Sequence, residues 1–271
     1  MRACSWNLFH GRDRPPERGL FTWHSRLLQT GEVGERYAQV NRPLFDGFAE
    51  VLCELHWDVA LLQETPPRWL RPLGAACGAS GASALTARNQ LAFIRARVAG
   101  WNPDLIKSHE GGSNQLLVRS PGRLRDVRRL TLTHRPERRR MLFARVEPRG
   151  GGRLAVANLH ASAGDPERAG PEVERAAECA VEWAGGDPLL FGGDFNLRPG
   201  TEPEPFSTLR ERFDLEPATG PKAIDHLLVR GLEMVEAPRE LPGEVRELPG
   251  PERRRIRLSD HAPVTAAFRM R

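Results

Sequence analysis

The sequence contains very little lysine and no apolar run long enough to cross a membrane. Lys107 and Lys222 are the only lysines among 40 basic residues, so arginine carries the formal net charge of +5. Abundant arginine together with glycine, proline and alanine is typical of codon bias as well as of a binding surface, so the charge only mildly favours an anionic partner. No run of about 18 apolar residues occurs, and the first residues lack the apolar segment of a signal peptide. We therefore expect no stable membrane association.

Cysteine is also scarce. The four cysteines, Cys4, Cys53, Cys77 and Cys179, lie far apart and form no C-x-x-C pair. This spacing argues against a zinc site and against a disulfide framework, and it favours a reducing compartment. We therefore expect a cytoplasmic protein, and we expect a monomer.

Short apolar segments of strand length recur along the chain, separated by Gly or Pro. They predict strands over 2–7, 59–64, 91–94, 115–118, 128–133, 141–146, 154–159, 189–191, 226–229 and 264–268. Helical spacing of apolar residues predicts helices over 43–55, 171–184 and 206–213, with a short one near 21–29. Residues 11–42 and 236–255 otherwise indicate long loops. Many strands, few helices and no linker predict one α/β (α+β) domain over residues 1–271, with sheets packed together and helices outside.

Polar side chains of a few types adjoin six of the apolar segments. They are Asn7, Glu64, His160, Asp194 with Asn196, Asp225 with His226, and Asp260 with His261. Strand ends can meet at one rim of a sheet, so these groups could gather there. Asp194 and Asn196 are two positions apart, so in an extended chain their side chains point the same way.

Gathered carboxylates repel one another unless a cation neutralises them. The oxygen ligands Glu64, Asp260 and Asn7 suit Mg²⁺ or Mn²⁺ better than zinc. A metal beside histidines suits a phosphate ester, because both neutralise charge that grows on the phosphoryl oxygens. An Asp outside the metal shell, such as Asp194, can take a proton from an attacking water.

Each residue also has a purely structural explanation. Asn7 alone could cap a turn, and Asp194 with Asn196 could form a turn. Glu64 directly follows a buried strand and therefore needs a partner, which favours a ligand role. Five histidines lack motif context and are assigned to the surface or to packing: His10, His24, His56, His109 and His134. The arginine run over residues 138–140 is assigned to a solvated loop rather than to a phosphate track. The roles of Asn114 and His226 are left open.

The order of these motifs resembles a known family. Trp6-Asn7, Gln63-Glu64, Asn158-Leu159-His160, Gly193-Asp194-Phe195-Asn196, Ile224-Asp225-His226 and Ser259-Asp260-His261-Ala262-Pro263-Val264 are similar to those of the endonuclease/exonuclease/phosphatase superfamily, which includes DNase I-like nucleases. The match runs over residues 3–268. The resemblance implies a four-layer α/β/β/α sandwich, in which two mainly antiparallel sheets lie face to face and helices flank both outer faces. It also implies a divalent metal at one end of the sandwich.

The resemblance implies a role for each matched residue. Glu64 would be the principal metal ligand, and Asn7 and Asp260 would complete or border the metal site. Asp194 would orient or deprotonate the attacking water, and Asn196 would position Asp194 and the phosphate. The phosphate-contacting imidazole would be His261, held by Asp225, and His160 would be a second catalytic histidine.

The sequence therefore predicts a Mg²⁺- or Mn²⁺-dependent phosphodiester hydrolase, acting on DNA or RNA by in-line attack of water. A phosphatase, or a phosphodiesterase acting on a lipid or small molecule, is the alternative. A binding module that has lost catalysis ranks lower, because Glu64, Asp194 and His261 are all present. Neither endo- nor exo-action nor the number of metals is specified.

Overall fold

Two β-sheets lie face to face in the computed structural model, which describes residues 1–86, 91–106, 112–135, 138–149 and 151–270. The helices are α1 (Trp23–Leu28), α2 (Phe45–Glu54), α3 (Leu70–Ala76), α4 (Ala92–Trp101), α5 (Pro103–Ile106), α6 (Pro166–Ala184) and α7 (Pro203–Phe213). The strands are β1 (Arg2–Asn7), β2 (Glu32–Val33), β3 (Ala38–Gln39), β4 (Val59–Thr65), β5 (Ala79–Leu85), β6 (Ser113–Arg119), β7 (Arg123–Thr133), β8 (Arg139–Glu147), β9 (Leu154–His160), β10 (Leu189–Asp194), β11 (Asp225–Arg230), β12 (Leu232–Glu240), β13 (Glu247–Pro249), β14 (Arg255–Arg257) and β15 (Val264–Met270).

Each large sheet is antiparallel except at one central pair. The first sheet has the order β12-β15-β1-β4-β6-β5, and the second has the order β11-β10-β9-β8-β7. Strand β1 pairs with β4 in parallel, and β9 pairs with β10 in parallel. Parallel neighbours end at the same edge of a sheet, so the carboxyl ends of these four strands define the edge that carries the polar motifs.

The core has three layers of side chains, which explains why β4 carries apolar residues at four successive positions, from Val59 to Leu62. Successive residues of a strand point to opposite faces. Leu61 lies between the two sheets, whereas Leu62 packs outward against α2 and Trp6. On the far side, α6 covers the second sheet through Val173 and neighbouring alanines. Burying each large apolar side chain contributes roughly 1.5–3 kcal/mol, and both faces of each sheet share in this burial.

The predicted fold class is confirmed: two mainly antiparallel sheets lie between helical layers. The helices predicted over 43–55, 171–184 and 206–213 correspond to α2, α6 and α7. The helix predicted near 21–29 corresponds to α1, which begins after the capping side chain of Thr22. The single domain over residues 1–271 stays a prediction.

Two element predictions are wrong. Residues 91–94 begin helix α4 rather than forming a strand, because a short apolar run fits either structure. Residues 236–255 are not one loop. They contain the end of β12, which pairs with β15 through two register shifts, and the β13 strand that pairs with β14. The register shifts interrupt the alternation of apolar residues that would have indicated a strand.

The prediction of no disulfide is also wrong. Cys53, at the end of α2, is bonded to Cys77, which follows α3, with a Cα–Cα distance of 4.9 Å. The two cysteines are 24 residues apart in sequence, but β4 returns the chain so that both helices cover the same sheet face. Cys4 and Cys179 are free. Cysteine spacing therefore gives no support to a reducing compartment. No helix in the described ranges is long and apolar enough to cross a bilayer.

Candidate active site

The ends of the central strands bring distant polar residues to one edge of the sandwich. Asn7 lies opposite Gln63 in the β1–β4 pair. In the second sheet, Asp194 lies opposite His160 on one side and opposite Asp225 on the other. The segment before β15 reaches the same edge, because β15 runs antiparallel to β1. Sheet register thus places the motif residues beside one another.

A buried amide pair joins the two sheets beneath this edge. Gln63 Nε2 donates a hydrogen bond to Asn158 Oδ1 at 2.8 Å. Asn158 Nδ2 donates to the carbonyl oxygens of Leu62, at 3.0 Å, and Gln115, at 2.7 Å. Both amide side chains are fully buried. Sequence reasoning treated these two residues only as parts of motifs, but the structure places them as the polar link between the sheets.

The carboxylate of Asp194 is buried, and both of its oxygens accept hydrogen bonds. Asn7 Nδ2 donates to Oδ2 at 2.9 Å, and the backbone N–H of Asn196 donates to Oδ1 at 3.1 Å. Asn196 has a positive φ of 53°, which turns its N–H back towards the carboxylate. Its side chain donates to Ala161 O at 3.2 Å. The orientation of the Asp194 carboxylate is therefore fixed from two sides.

His261 is held between Asp225 and the backbone. Its Nδ1 lies 2.7 Å from Asp225 Oδ2, and its Nε2 lies 3.9 Å from Asp194 Oδ2. Ser259, with φ of 58°, accepts from the His261 N–H at 3.1 Å and donates to Asn7 O at 2.6 Å. The ring therefore keeps one nitrogen on Asp225 and aims the other at Asp194.

The charges of this group shift its pKa values in opposite directions. Burial raises the pKa of Asp194 to about 7, reinforced by Asp225 and opposed by His261 and Asn7. Burial alone would lower the pKa of His261, but the negative charges of Asp225 and Asp194 raise it well above its ordinary value. Near neutral pH, the arrangement therefore favours a charged imidazole beside a carboxyl group that can take or release a proton.

Glu64 is surrounded by imidazoles. Its Oε2 lies 2.9 Å from His10 Nε2, and its Oε1 lies 3.7 Å from His160 Nε2. Burial would raise the pKa of Glu64, but its interactions with His10 and with the charged His261 hold it well below its ordinary range. The assignment of His10 to the surface or to packing is therefore corrected. Residues 9–11 form a tight turn in which His10 has φ of 55°, and a single sequence gives no indication that this turn aims the ring at Glu64.

His160 differs from His261 in its charge. Burial lowers the pKa of His160 to about 3, and the positive charge of Arg139 adds to this effect. Arg139 Nη1 lies 3.2 Å from His160 Nδ1, and only 8% of Arg139 is exposed. The expectation of a solvated loop over 138–140 is thus corrected at this residue. His160, 3.5 Å from Asp194 Oδ2, is a neutral hydrogen-bonding group.

The structure also shows the surroundings of three further residues from the sequence analysis, Asp260, His226 and Asn114. The Asp260 side chain is 40% exposed, and its Oδ1 lies 3.8 Å from His261 Nε2. His226 is buried, lies 3.2 Å from Leu197 O through Nε2 and accepts from Thr219 N at 3.2 Å through Nδ1, so it packs the fold. Asn114 is buried and donates to Arg140 O at 2.7 Å. His109 lies outside the described residues.

The donor chemistry of the edge fits a divalent cation. Ligand atoms of Asp194, Asp225 and His261 all lie within 4.8 Å of one another. Asp225 Oδ1 is buried and has no hydrogen-bond partner among the described residues, so a cation or water would satisfy it. The predicted set of Glu64, Asp260 and Asn7 borders the same edge. However, Asn7 directs its Nδ2 at Asp194 and accepts from Phe9 N at 3.0 Å through Oδ1. Carboxylate oxygens suit Mg²⁺ or Mn²⁺.

Comparison with known proteins gives a family and a fold. Residues 4–261 match the model of the endonuclease/exonuclease/phosphatase family. Among solved structures, a family protein from Bacteroides thetaiotaomicron is 13% identical, with a TM-score of 0.66, over 100% of this chain and 98% of that chain. A mannosyl-6-phosphatase from the same organism is 13% identical, with a TM-score of 0.66, over 99% of each chain. The catalytic domain of human nocturnin is 16% identical, with a TM-score of 0.63, over 99% of this chain and 93% of that chain. At these identities the structures establish the fold alone. No curated protein matches the sequence.

Proposed function

The chain belongs to the endonuclease/exonuclease/phosphatase family, and we propose that it is a Mg²⁺- or Mn²⁺-dependent nuclease acting on DNA or RNA. Members of this family hydrolyse phosphate esters and generally use divalent metals. The observation that carries the proposal is the approach of His261 Nε2 to within 3.9 Å of Asp194 Oδ2, beside the half-buried carboxylate of Glu64. A proton acceptor and a cationic hydrogen-bond donor that face the same space are what in-line hydrolysis of a phosphodiester needs.

Asp194 is the proposed acceptor of a proton from the attacking water. Asn7 and the Asn196 backbone hold its two oxygens, so the carboxylate does not need to reorient when the water arrives. Burial without full charge neutralisation makes this carboxylate a stronger base than an exposed one.

His261 is the proposed electrostatic partner of the phosphate. Asp225 holds Nδ1 at 2.7 Å, which leaves Nε2–H to donate to a phosphoryl oxygen or to the leaving oxygen. His160 is neutral and lies 3.5 Å from Asp194, so we assign it a hydrogen bond to the phosphate or the water rather than a charge.

A divalent cation held by Glu64 and Asp260, with Asn7 at its border, would supply Lewis-acid stabilisation of the phosphate and the leaving oxygen. The lowered pKa of Glu64 keeps this carboxylate ionised and therefore able to bind a cation. His10 Nε2 lies 2.9 Å from Glu64 Oε2, within hydrogen-bond distance of that carboxylate.

The second candidate function is that of a phosphatase, or of a phosphodiesterase acting on a small molecule or a lipid. The fold shared with a mannosyl-6-phosphatase supports this alternative, since a similar fold can serve either chemistry. The net charge of +5 favours the nuclease, because nucleic acid carries a regular array of negative phosphates.

A substrate panel tests the proposal. Plasmid DNA, RNA, bis(4-nitrophenyl) phosphate, 4-nitrophenyl phosphate, mannose 6-phosphate and a phospholipid are each incubated with Mg²⁺, Mn²⁺ or EDTA. We expect cleavage of nucleic acid and of the diester with metal and none with EDTA. Asp194→Asn and His261→Gln should each lower turnover by about 10²–10³-fold, whereas Asp46→Asn on the exposed side of α2 should not. Hydrolysis confined to monoesters would replace the nuclease with a phosphatase.

The proposed partner, location and oligomeric state have separate measurements. Affinity for nucleic acid should fall steeply with salt, because binding releases counterions. The proposal further includes a monomer in the cytoplasm, and light scattering and cell fractionation test these two statements. A salt-independent affinity would argue against nucleic acid as the partner.

A further inference from the structure

A cavity of about 510 Å³ lies beside the candidate active site. Its walls include Arg14, Arg18, Phe21, Arg246, Arg257 and Asp260. Asp260 connects the two places, because its Oδ1 is 3.8 Å from His261 Nε2. The cavity is therefore close enough to the catalytic edge for one molecule to reach both places.

Arg246 is the most deeply placed cation of this cavity. Only 9% of the residue is exposed. Its Nη1 donates to Ser259 O at 2.9 Å, the residue that also positions His261 and Asn7. Its Nε is buried and has no hydrogen-bond partner among the described residues. Burying a cationic guanidinium is costly, and an anion in the cavity would offset its charge.

The remaining arginines differ in how far they are already neutralised. Arg257 is paired with Glu247 and donates to Tyr37 Oη at 2.5 Å. Arg14 and Arg18 are exposed, and neither has a carboxylate partner in the described part of the chain. Arg14 lies over the Phe21 ring, 5.4 Å from its centroid. The cavity therefore combines one buried cation with two exposed cations that have no carboxylate partner among the described residues.

The acidic residues of the wall do not cancel this charge. Glu17 accepts hydrogen bonds from the backbone N–H groups of Glu35, Arg36 and Tyr37, so its carboxylate is engaged away from a ligand. Asp260 lies at the boundary with the catalytic edge. The interior of the cavity thus keeps an excess of positive charge.

We infer that this cavity binds a second phosphate group of the substrate, next to the phosphate that is hydrolysed. This inference rests on the proposed function. Phosphate fits better than carboxylate, because guanidinium groups from several directions match its multiple oxygens. The volume exceeds that of one phosphate and lies in the range of small-molecule sites, and Phe21 and Leu20 offer apolar wall to a base or a sugar.

Binding measurements test the inference without relying on turnover. The full-length protein is titrated calorimetrically, with Ca²⁺ in place of Mg²⁺, using adenosine 3′,5′-bisphosphate and adenosine 5′-monophosphate. We expect the bisphosphate to bind at least about 10-fold more tightly. The pair fructose 1,6-bisphosphate and fructose 6-phosphate then distinguishes a nucleotide from a sugar as the carrier of the second phosphate.

Paired variants locate the preference in the cavity. Arg14→Gln with Arg18→Gln should reduce the preference to about 2-fold or less, whereas Arg175→Gln with Arg212→Gln, two exposed arginines on α6 and α7, should preserve it. All four positions are exposed, so we expect folded variants. Equal binding of bisphosphate and monophosphate by the wild type, or a preference that survives loss of Arg14 and Arg18, would overturn the inference. If the substrate panel shows no hydrolysis while the preference persists, the proposed function fails and the phosphate-binding cavity stands.

Discussion

Asp225 holds the His261 ring, and its charge also helps to raise the pKa of Asp194. It lies 2.7 Å from His261 Nδ1, on the side of the ring opposite the nitrogen that faces Asp194. The negative charge and the hydrogen bond of Asp225 both favour the protonated imidazole. Its loss should therefore change both the orientation and the charge of His261, while substrate contacts elsewhere stay intact.

We predict that Asp225→Asn lowers kcat by about 10²-fold and moves the alkaline limb of the pH–rate profile to lower pH. The sign follows because His261 without its carboxylate partner loses its proton at a lower pH. The measurement is kcat/KM from pH 5 to about pH 10, with Asp46→Asn as the matched control. An unchanged alkaline limb would mean that Asp225 does not set the charge of His261.

His10 offers a second prediction for a single residue. Removing the ring leaves the half-buried carboxylate of Glu64 without its nearest partner, at 2.9 Å in the wild type. His10→Ala should therefore cost about 1–3 kcal/mol of stability in EDTA, and less in saturating Mg²⁺, because the cation replaces the lost partner. Denaturant titration in both buffers, with exposed His56→Ala as control, measures the difference. Equal losses in the two buffers would contradict this account.

Site residues that lie in sequence motifs could be predicted, whereas site residues that reach the edge through turns or strand ends could not. The motifs predicted that Glu64, Asp194 and His261 would lie near one another, and the structure brings them to one edge. His10 and Arg139 reach the same edge through a left-handed turn and a strand end. No periodicity or spacing encodes these contacts, because they depend on how separate segments meet in space.

At the scale of the elements, the parallel pairs β1–β4 and β9–β10 do most to position the site, and the Gln63–Asn158 link holds one pair against the other. Asn158→Leu removes two donors to backbone carbonyls and one acceptor for Gln63. We predict a loss of about 2–4 kcal/mol in unfolding free energy, since several buried groups lose their partners at once. Urea denaturation measures it.

The control for that prediction is Asn102→Leu. Asn102 is equally buried, but its side chain serves the α1 and α5 region rather than the link between the sheets. Both variants should lose stability, but only Asn158→Leu should also lower kcat, because only it loosens the strands that carry Asp194 and Glu64. Wild-type turnover in a folded Asn158→Leu protein would mean that the Gln63–Asn158 link does not position the site.

Elements with a regular pattern could be predicted, and irregular ones could not. The strands β4 and β9 begin with four successive apolar residues, which are buried on both faces. By contrast, β5 consists mainly of Ala, Gly and Ser, which have weak strand preference, and β12 is broken by register shifts. The missed elements therefore lie where pairing with a neighbour, rather than local preference, decides the structure.

At the scale of the whole molecule, the buried carboxyl group of Asp13 links global stability to pH. It lies in the segment before β2, is 1% exposed, and accepts from Val40 N at 2.8 Å through Oδ2. Burial raises its pKa to about 8 from an ordinary value of 3.8, opposed by the Val40 N–H and reinforced by Asp104. Between these two values the folded state binds more protons than the unfolded state does, so stability falls as pH rises.

We predict that the unfolding free energy of the wild type decreases by a few kcal/mol between about pH 4 and pH 8. The upper limit is about 1.4 kcal/mol per unit of difference between the folded and unfolded pKa values. In Asp13→Asn this decrease should be smaller. Asparagine keeps the acceptor for Val40 N but cannot ionise, so the variant should gain on the wild type as pH rises. Denaturant unfolding across this range measures it, with exposed Asp46→Asn as the control that retains the wild-type slope. The same slope in Asp13→Asn as in the wild type would mean that another group carries the linkage. The loop that bears Asp13 also forms the cavity wall at Arg14 and Arg18. At alkaline pH, Asp13→Asn should therefore bind the bisphosphate more tightly than the wild type does.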